Sequence, residues 1–522
     1  MLVMRERVRV VVTLPKRLLQ STQGVRTVRN LIFPLVLLLS GCSTVSQNLD
    51  TPVSNRADRL GVQPQEKVKF DDLLLAKAES CPGRESFPKG KADDDYDKVQ
   101  ARWKLLDCLF KHVQGRRLVV LLDGTANDKE DSTNIWRLYE LALSRTLKGS
   151  LDTKIELGDP VIPYYDKGVG TSPTSPISGA AFGTGVSMNI RQAYRFLVEA
   201  YKPEDQIFLF GFSRGAFTAR SLNGFIEFAG LAKPATVASN TLDDTFLLWW
   251  AGNFHSKVSN MYKIYHRSNT GSATFESDLR GDLKKYRQEN NIEVYGDKPS
   301  DRKVTVEVVG VFDTVPAVGL GLDEDPDGHR IELYARRGYH AMSLDEQRDS
   351  FRLQRFGVPQ YEQQTLEEVW FAGAHADIGG GYYKGPEALI CGKEFGEGES
   401  APVGLEATPL RWMLTRTRND RIFSDAEWPR ECVGGQLHDE YFDANRFLAA
   451  LYKNAGLLRR KPIAHDNVDK SVLTRMKIGK LAAPHPDREP KGQYRPVNLG
   501  HDPESTFTIV SPDSMPALTH SP

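Results

Sequence analysis

Three residue types at three places in the chain have the makings of a nucleophilic site. Ser213 lies in Gly211-Phe212-Ser213-Arg214-Gly215, entered from the apolar run 206–210 and left by a helix-like stretch, Ala216-Phe217-Thr218-Ala219-Arg220-Ser221-Leu222. A bare G-x-S-x-G arises often by chance; the strand–turn–helix context gives it meaning, because a strained elbow then projects the serine from the end of a sheet. The glycines let strand and helix approach closely. The N–H of Arg214, at the positive end of the helix, is aimed where an oxyanion would form. The alternative is a glycine-rich helix start with an idle N-cap serine. A serine hydroxyl needs a base, and the base needs an orienting carboxylate. Asp313 follows the buried run Val306-Glu307-Val308-Val309-Gly310-Val311-Phe312, and His375 follows the run 369–372 and enters the glycine-rich turn Gly379-Gly380-Gly381. A group at the carboxyl end of a parallel strand sits on the ligand face of the sheet. Ser213, Asp313 and His375 therefore have both the order and the placement of a nucleophile, acid and base.

Other residues compete for these roles. His340 falls in a helix-like stretch, 335–351, and reads as structural; His465, in a polar loop, is a rival base; Asp377, two residues beyond His375, is a rival acid. The second oxyanion donor is expected from the turn after the first core strand, Asp123-Gly124-Thr125, as Gly124 or Thr125. The same turn resembles the D-x-D-G-T of aspartyl phosphatases, but Leu121 stands where that chemistry needs its nucleophilic aspartate. Gly183-Thr184-Gly185 reads as a loop before a helix, able to cradle an anion or simply to turn the chain. No close Cys/His cluster has zinc spacing, and this chemistry calls for no metal or cofactor.

The elements that must position these residues follow from the apolar pattern. Residues 118–122, 206–210, 304–312 and 369–372 are apolar runs suited to strands buried on both faces of a parallel sheet. Helix-like segments at 134–147, 189–201 and from about 214 alternate with them, which argues for an α/β fold with a mostly parallel sheet. Residues 232–300 read as an insertion between core strands, a cap over an apolar substrate site or extra core helices; they include Phe246-Leu247-Leu248-Trp249-Trp250. Residues after about 480 are Pro-rich and read as extended. With 68 basic and 68 acidic residues in 522, and 40 % apolar residues, the chain is neither disordered nor a polytopic membrane protein. The absence of a basic excess argues against nucleic acid as a partner.

That neutrality is a sum of unlike parts. The first 30 residues hold seven basic residues and one acid, leaving 61 basic and 67 acidic residues to the rest. An apolar run of nine residues, 31–39, and then Ser40-Gly41-Cys42-Ser43 complete an export signal. Nine helical residues rise about 14 Å, too short to span a hydrocarbon core of about 30 Å. Leu39-Ser40-Gly41-Cys42 resembles the lipobox of bacterial lipoproteins, which implies lipidation of Cys42 and, with Ser43 after it, sorting to the outer membrane. A start near Val25 would give a signal of ordinary length. In an oxidising compartment Cys81 and Cys108, which share one segment, are candidates for a bridge.

The segments Leu121-Leu122-Asp123-Gly124-Thr125-Ala126-Asn127, Gly179-Ala180-Ala181-Phe182-Gly183, Phe210-Gly211-Phe212-Ser213-Arg214-Gly215-Ala216, Gly310-Val311-Phe312-Asp313-Thr314-Val315 and Phe371-Ala372-Gly373-Ala374-His375-Ala376-Asp377-Ile378-Gly379-Gly380-Gly381-Tyr382 together resemble the α/β-hydrolase family that contains the type VI secretion phospholipase effectors. The resemblance runs from about residue 117 to 385 and more weakly to about 476. It implies an α/β-hydrolase-like fold and a serine hydrolase of phospholipid acyl esters, with Ser213 as nucleophile and Asp313 and His375 as acid and base. The leader departs from that pattern, since such effectors need no lipoprotein signal. A resident hydrolase held by lipid at Cys42 to the outer membrane, facing the periplasm of a Gram-negative bacterium, fits it better than delivery into rival cells; a secretion-system or immunity partner is left unassigned. The expected organisation is a signal (1–42), a tether and N-terminal extension (43–116), a catalytic domain (117–480) with its insertion at 232–300, and an extended tail (481–522). A carboxylesterase for other esters, and a non-catalytic membrane-tethered lipoprotein that keeps the fold for binding, are the competing readings.

Overall fold

The apolar run that opens the core forms strand β1, Arg117–Leu122, in which every residue after Arg117 is buried. In this computed structural model of the chain, the described residues are 69–511 apart from 125–126, 128–131, 169–178, 238–256, 268–273, 299–302, 317–330, 383–403, 427, 430, 440, 442–456, 479–492, 497 and 501. The export signal, Cys42, the tether up to residue 68 and the apolar patch 246–250 lie outside them.

Among the described residues, seven further strands join it: β2 (Val161–Asp166), β3 (Gln206–Phe212), β4 (Val306–Phe312), β5 (Arg337–Ser343), β6 (Thr365–Phe371), β7 (Asn467–Asp469) and β8 (Thr508–Val510), while Leu147–Lys148 and Glu156–Leu157 form a separate antiparallel pair. Strands β1 to β8 form one sheet in the order β2-β1-β3-β4-β5-β6-β7-β8, with every pairing parallel. The α/β fold expected from the apolar runs is the one observed. The chain steps outward from β1 to β2 and then returns to place β3 on the other side of β1. This reversal falls at the carboxyl ends of β1 and β3, the kind of switch point at which open parallel sheets bind ligands.

Helices cover the sheet: α1 (Phe70–Lys77), α2 (Tyr96–Leu109), α3 (Asn134–Thr146), α4 (Gly179–Ala200), α5 (Arg214–Ala229), α6 (Lys257–Tyr265), α7 (Phe275–Glu289), α8 (His375–Gly379) and α9 (Ala407–Arg416). Successive side chains of β2 show that both faces are used. Tyr164 stacks on Phe196 of α4 at 5.0 Å, while Tyr165 meets Trp136 of α3 edge-on at 5.0 Å. Two-sided burial is why these strands read as unbroken apolar runs rather than alternating ones.

The structure departs from the sequence reading in identifiable places. The stretch 335–351, expected to be helical, contributes strand β5. Its neighbours β4 and β6 supply parallel partners on both sides, and Gly338 leaves room that Leu333 and Leu366 fill. Pairing and packing here override local preference. Strand β2 escapes notice because Pro163 interrupts it; β2 is an edge strand, where a missing N–H costs no ladder bond. Residues expected to be an extended tail complete the far edge instead: Thr508–Val510 pairs with Asn467–Asp469, and Tyr494 is buried in a second apolar cluster with Trp370 and Val468. Gly183-Thr184-Gly185, expected to be a loop, lies within α4. Within 232–300, α6 and α7 lie over α5: Tyr265 donates to the Ser221 carbonyl at 3.1 Å, and Leu279 and Leu283 are buried. The described part of this insertion thus thickens the helical layer. No described helix is long and apolar enough to cross a membrane.

Before β1, α1 and α2 are tied together by a disulfide between Cys81 and Cys108, and by the Arg102 guanidinium, which donates to both oxygens of Asp71 at 2.6 and 2.9 Å. The bridge closes a 27-residue separation. On chain-entropy grounds its loss should cost about 3.5 kcal/mol. The melting temperature of the Cys81→Ser/Cys108→Ser variant is therefore expected to fall by several degrees, and reductant should lower that of the wild-type chain in the same direction. Equal melting of variant and parent would show that the salt bridges alone hold this layer.

Candidate active site

The elbow is built by steric necessity. Ser213 is held at φ 58° and ψ −124°, a backbone conformation that side chains rarely adopt. A Cβ on Gly215 would lie 2.1 Å from the Leu122 carbonyl oxygen, and one on Gly211 would lie 2.4 Å from that of Gly215. Only glycines let α5 start this close to the ends of β3 and β1. The Ser213 N–H donates to the Phe312 carbonyl at 3.0 Å, which fixes the turn to the end of β4.

Asp313 leaves β4 with φ 43°, and its N–H donates to the Ala341 carbonyl of β5 at 2.8 Å. His375 opens α8 just beyond β6; its backbone N–H reaches Glu346 Oε2 at 3.3 Å. These three strand ends converge. His375 Nε2 is 2.8 Å from Ser213 Oγ, and His375 Nδ1 is 2.5 Å from Asp313 Oδ2. All three side chains are buried. The imidazole lies between Phe212, with ring centres 4.7 Å apart, and the edge of Phe351, at 4.9 Å.

The electrostatics are set by buried charge. Burial alone would raise the pKa of Asp313, but the Arg460 guanidinium beside it and the hydrogen bond to His375 hold it well below the usual carboxylate range. Arg460 grips both Asp313 oxygens, and Ser343 N–H donates to Oδ1 at 2.9 Å. Burial lowers the pKa of His375; Asp313 opposes that shift without cancelling it, and the charge of Arg348 adds to it. Glu346 would be raised by burial, but Arg348, which donates to both its oxygens at 2.8 and 2.7 Å, brings it down to about 2. The site is thus poised with a neutral imidazole against an ionised aspartate. An imidazole so placed can accept a proton at Nε2 while Nδ1–H donates to the carboxylate.

The competing residues stand in other surroundings. His340 is fully buried in β5, with Nδ1 3.0 Å from Glu368 and Nε2 accepting the Thr314 N–H at 3.1 Å; it braces the turn that carries Asp313. His465 is exposed, and its N–H donates to the Thr506 carbonyl. Asp377 accepts from Ala374 N–H at 2.9 Å and lies 2.7 Å from His438 Nδ1, so it orders the turn before His375 and pairs with a different histidine. Asp123 is bound by the Thr133 and Tyr165 hydroxyls at 2.5 and 2.8 Å. Of the expected oxyanion donors, Arg214 heads α5, so its N–H projects from the helix N-terminus. The Gly124 N–H donates to the carboxylate of Asp123 at 2.7 Å, and Thr125 lies outside the described residues. The amide of Asn127 lies against Gly124, so close that a Cβ there would be 2.6 Å from Nδ2. Among the described residues no cluster of His, Cys, Asp and Glu is arranged to hold a metal.

Sequence reasoning did not reach Arg460, Glu346 or Arg348. The last two are Glu and Arg in a stretch read as helical, and Arg460 stands 147 residues from its partner in a polar run with no periodic signal.

With this geometry in view, comparison with known families matches residues 116–416 to the catalytic domain of the Tle1-like phospholipase effectors of type VI secretion. An uncharacterized protein of Saccharomyces cerevisiae, YEL023C, is 28 % identical over 262 residues, 46 % of this chain and 32 % of that protein, so the chain spans about a third of that relative's length. Among solved structures, an uncharacterized protein from Pseudomonas aeruginosa is 16 % identical, with a TM-score of 0.31 over 68 % of this chain and 52 % of that one. The Tle1 effector bound to the VgrG spike of the type VI secretion system is 18 % identical, with a TM-score of 0.28 over 52 % of each chain. Neither superposition carries an argument about this chain.

The lowered pKa of His375 has a sign that can be measured. The imidazole serves as a base only when neutral, so a lowered pKa extends competence toward acid. The rate at which a fluorophosphonate labels Ser213 should therefore fall with an acid limb centred below the ordinary histidine value of about 6.5. A limb centred at or above that value would contradict the burial argument.

Proposed function

Because the chain belongs to the family of Tle1-like type VI secretion phospholipase effectors, through a catalytic domain at residues 116–416, we propose that it is a serine hydrolase that cleaves phospholipid acyl esters through Ser213, His375 and Asp313. The observation that carries this reading is the continuous hydrogen-bonded series from Ser213 Oγ through His375 to Asp313, set on an elbow at the reversal of the sheet.

In this reading His375 Nε2 takes the Ser213 proton as Oγ attacks the acyl carbonyl. The imidazolium that forms is stabilised through Nδ1–H by Asp313, which stays ionised throughout. Negative charge on the carbonyl oxygen develops at the N-terminus of α5, where the Arg214 N–H and the helix dipole favour it. A second donor comes from the Gly124–Thr125 turn, for which Gly124 N–H must exchange its bond to Asp123 for one to the oxyanion; the Asn127 amide is close at hand. His375 then protonates the departing alcohol, and water, activated by the same imidazole, hydrolyses the acyl-enzyme. No step calls on a metal or cofactor. The lipobox at Cys42 supports attachment to the outer membrane on its periplasmic side, which would hold the enzyme at its substrate.

Ser213→Ala is expected to abolish fluorophosphonate labelling and to lower kcat by roughly 10⁶, as loss of a triad nucleophile does. Retention of lipid hydrolysis in that variant would sink the proposal. Esters of increasing chain length, offered as monomers and as micelles, separate lipid from small-ester substrates: preference for long chains in micelles supports a phospholipase, preference for short soluble esters a carboxylesterase. A wild-type chain that binds lipid but does not label is a binding lipoprotein.

A further inference from the structure

Arg460 lies outside the stretch that matches the family's catalytic domain, yet its guanidinium makes four hydrogen bonds at the site. Its NH1 donates to Asp313 Oδ1 and, at 3.0 Å, to the Ser343 carbonyl; its NH2 donates to Asp313 Oδ2 at 3.0 Å and to the Phe351 carbonyl at 2.9 Å. From the carboxylate's side, Oδ1 receives Ser343 N–H and Arg460, and Oδ2 receives His375 and Arg460. Each oxygen therefore has two donors, and turning the carboxylate would break several bonds at once.

The segment that carries Arg460 is itself pinned on both sides. Leu458 N–H donates to the Gln347 carbonyl at 2.8 Å, the Arg460 carbonyl accepts from Asn498, and Asp466 holds Arg355 and the Trp370 indole N–H at 3.0 Å and closer. Arg460 is buried although Arg459 and Lys461 on either side are exposed. A planar guanidinium matched to a carboxylate by two parallel bonds cannot be replaced by an ammonium without losing one of them.

We propose that Arg460 is a positioning residue for the hydrolysis: it locks the Asp313 carboxylate in the orientation that meets His375 Nδ1, and its positive charge, behind the carboxylate, moderates the pull of Asp313 on the imidazole. This role rests on the reading of Ser213, His375 and Asp313 as the reacting series. Without Arg460 the carboxylate would stabilise the imidazolium more strongly, and His375 would stay protonated to higher pH. Among the described residues, the other charged and titratable groups around the pair are Glu346 and Arg348 after β5, His340 of β5 with Glu368 of β6, Asp345 on the Gly373 N–H, and Asp377 with its partner His438. All of them remain when Arg460 is replaced, so a shift reports on Arg460.

The test is the pH profile of fluorophosphonate labelling of Ser213 in the full chain, for wild type, Arg460→Met and Arg460→Lys. The Met variant should label more slowly by a factor on the order of 10 to 100, with its acid limb displaced to higher pH by about one unit. The Lys variant keeps the charge, so its limb should stay where the wild type has it, while its rate falls several-fold for want of the second fork bond. A Met variant with an unmoved limb overturns the electrostatic part, and one with the wild-type rate overturns the positioning part. Should the Met variant not fold, Arg460→Lys decides alone: an unmoved limb with a reduced rate supports the proposal, and a wild-type rate or a displaced limb overturns it. A wild-type chain that does not label refutes the reacting series itself, which is a different failure from either variant behaving like its parent.

Discussion

The structure turns on one buried carboxylate. Asp313 has no exposed surface and sits where β4 ends, in a backbone conformation that its neighbours must enforce. A charge so far from water either finds donors or is neutralised. Here His375, Ser343 and Arg460 supply them, and each donor comes from a different part of the chain. Meeting the needs of that charge therefore also aligns His375 and joins β4 to the ends of β5 and β6. Its contribution to stability has a definite pH dependence. Because the folded pKa is depressed, the contribution is fully present above the unfolded aspartate value of about 3.9, and it is lost as pH falls toward the folded value.

The parts of the fold that were legible in the sequence share a physical cause. Strands β1, β3, β4 and β6 are each apolar where both faces are covered; the residues read as nucleophile and acid stand directly after β3 and β4, and the one read as base stands one short turn beyond β6. A parallel sheet puts those strand ends on one edge, so chain order and strand context were enough to bring Ser213, Asp313 and His375 under suspicion before any distance was known. Strand β5 was not legible because a buried histidine and a glycine interrupt it; His340 is tolerated there only since Glu368 and Thr314 take up both its nitrogens. Strands β7 and β8 are three residues each and half polar, so they have no pattern of their own. They form because an edge was left to extend.

Arg460 was invisible for a further reason. Nothing in Leu457-Leu458-Arg459-Arg460-Lys461 distinguishes one arginine from the next. Which of them is buried is decided by the path of the segment across the strand ends, a tertiary fact. The same holds for Glu346 and Arg348, whose pairing beside His375 depends on β5 being a strand.

These pairings bear on where the catalytic unit ends. The stretch 116–416 contains Ser213, Asp313 and His375, but it does not contain the cation that compensates Asp313. Breaking a buried ion pair by removing one member typically costs about 3–5 kcal/mol, because the remaining charge is left without its partner. That is a large share of the roughly 5–15 kcal/mol by which domains are stable. The residues after 416 also supply β7 and β8 and bury Tyr494, whose hydroxyl reaches Asp345, the residue that accepts the Gly373 N–H two positions before His375. A segment that neutralises Asp313, extends the sheet and steadies the turn before His375 belongs to this fold by its energetics, whatever its sequence looks like on its own.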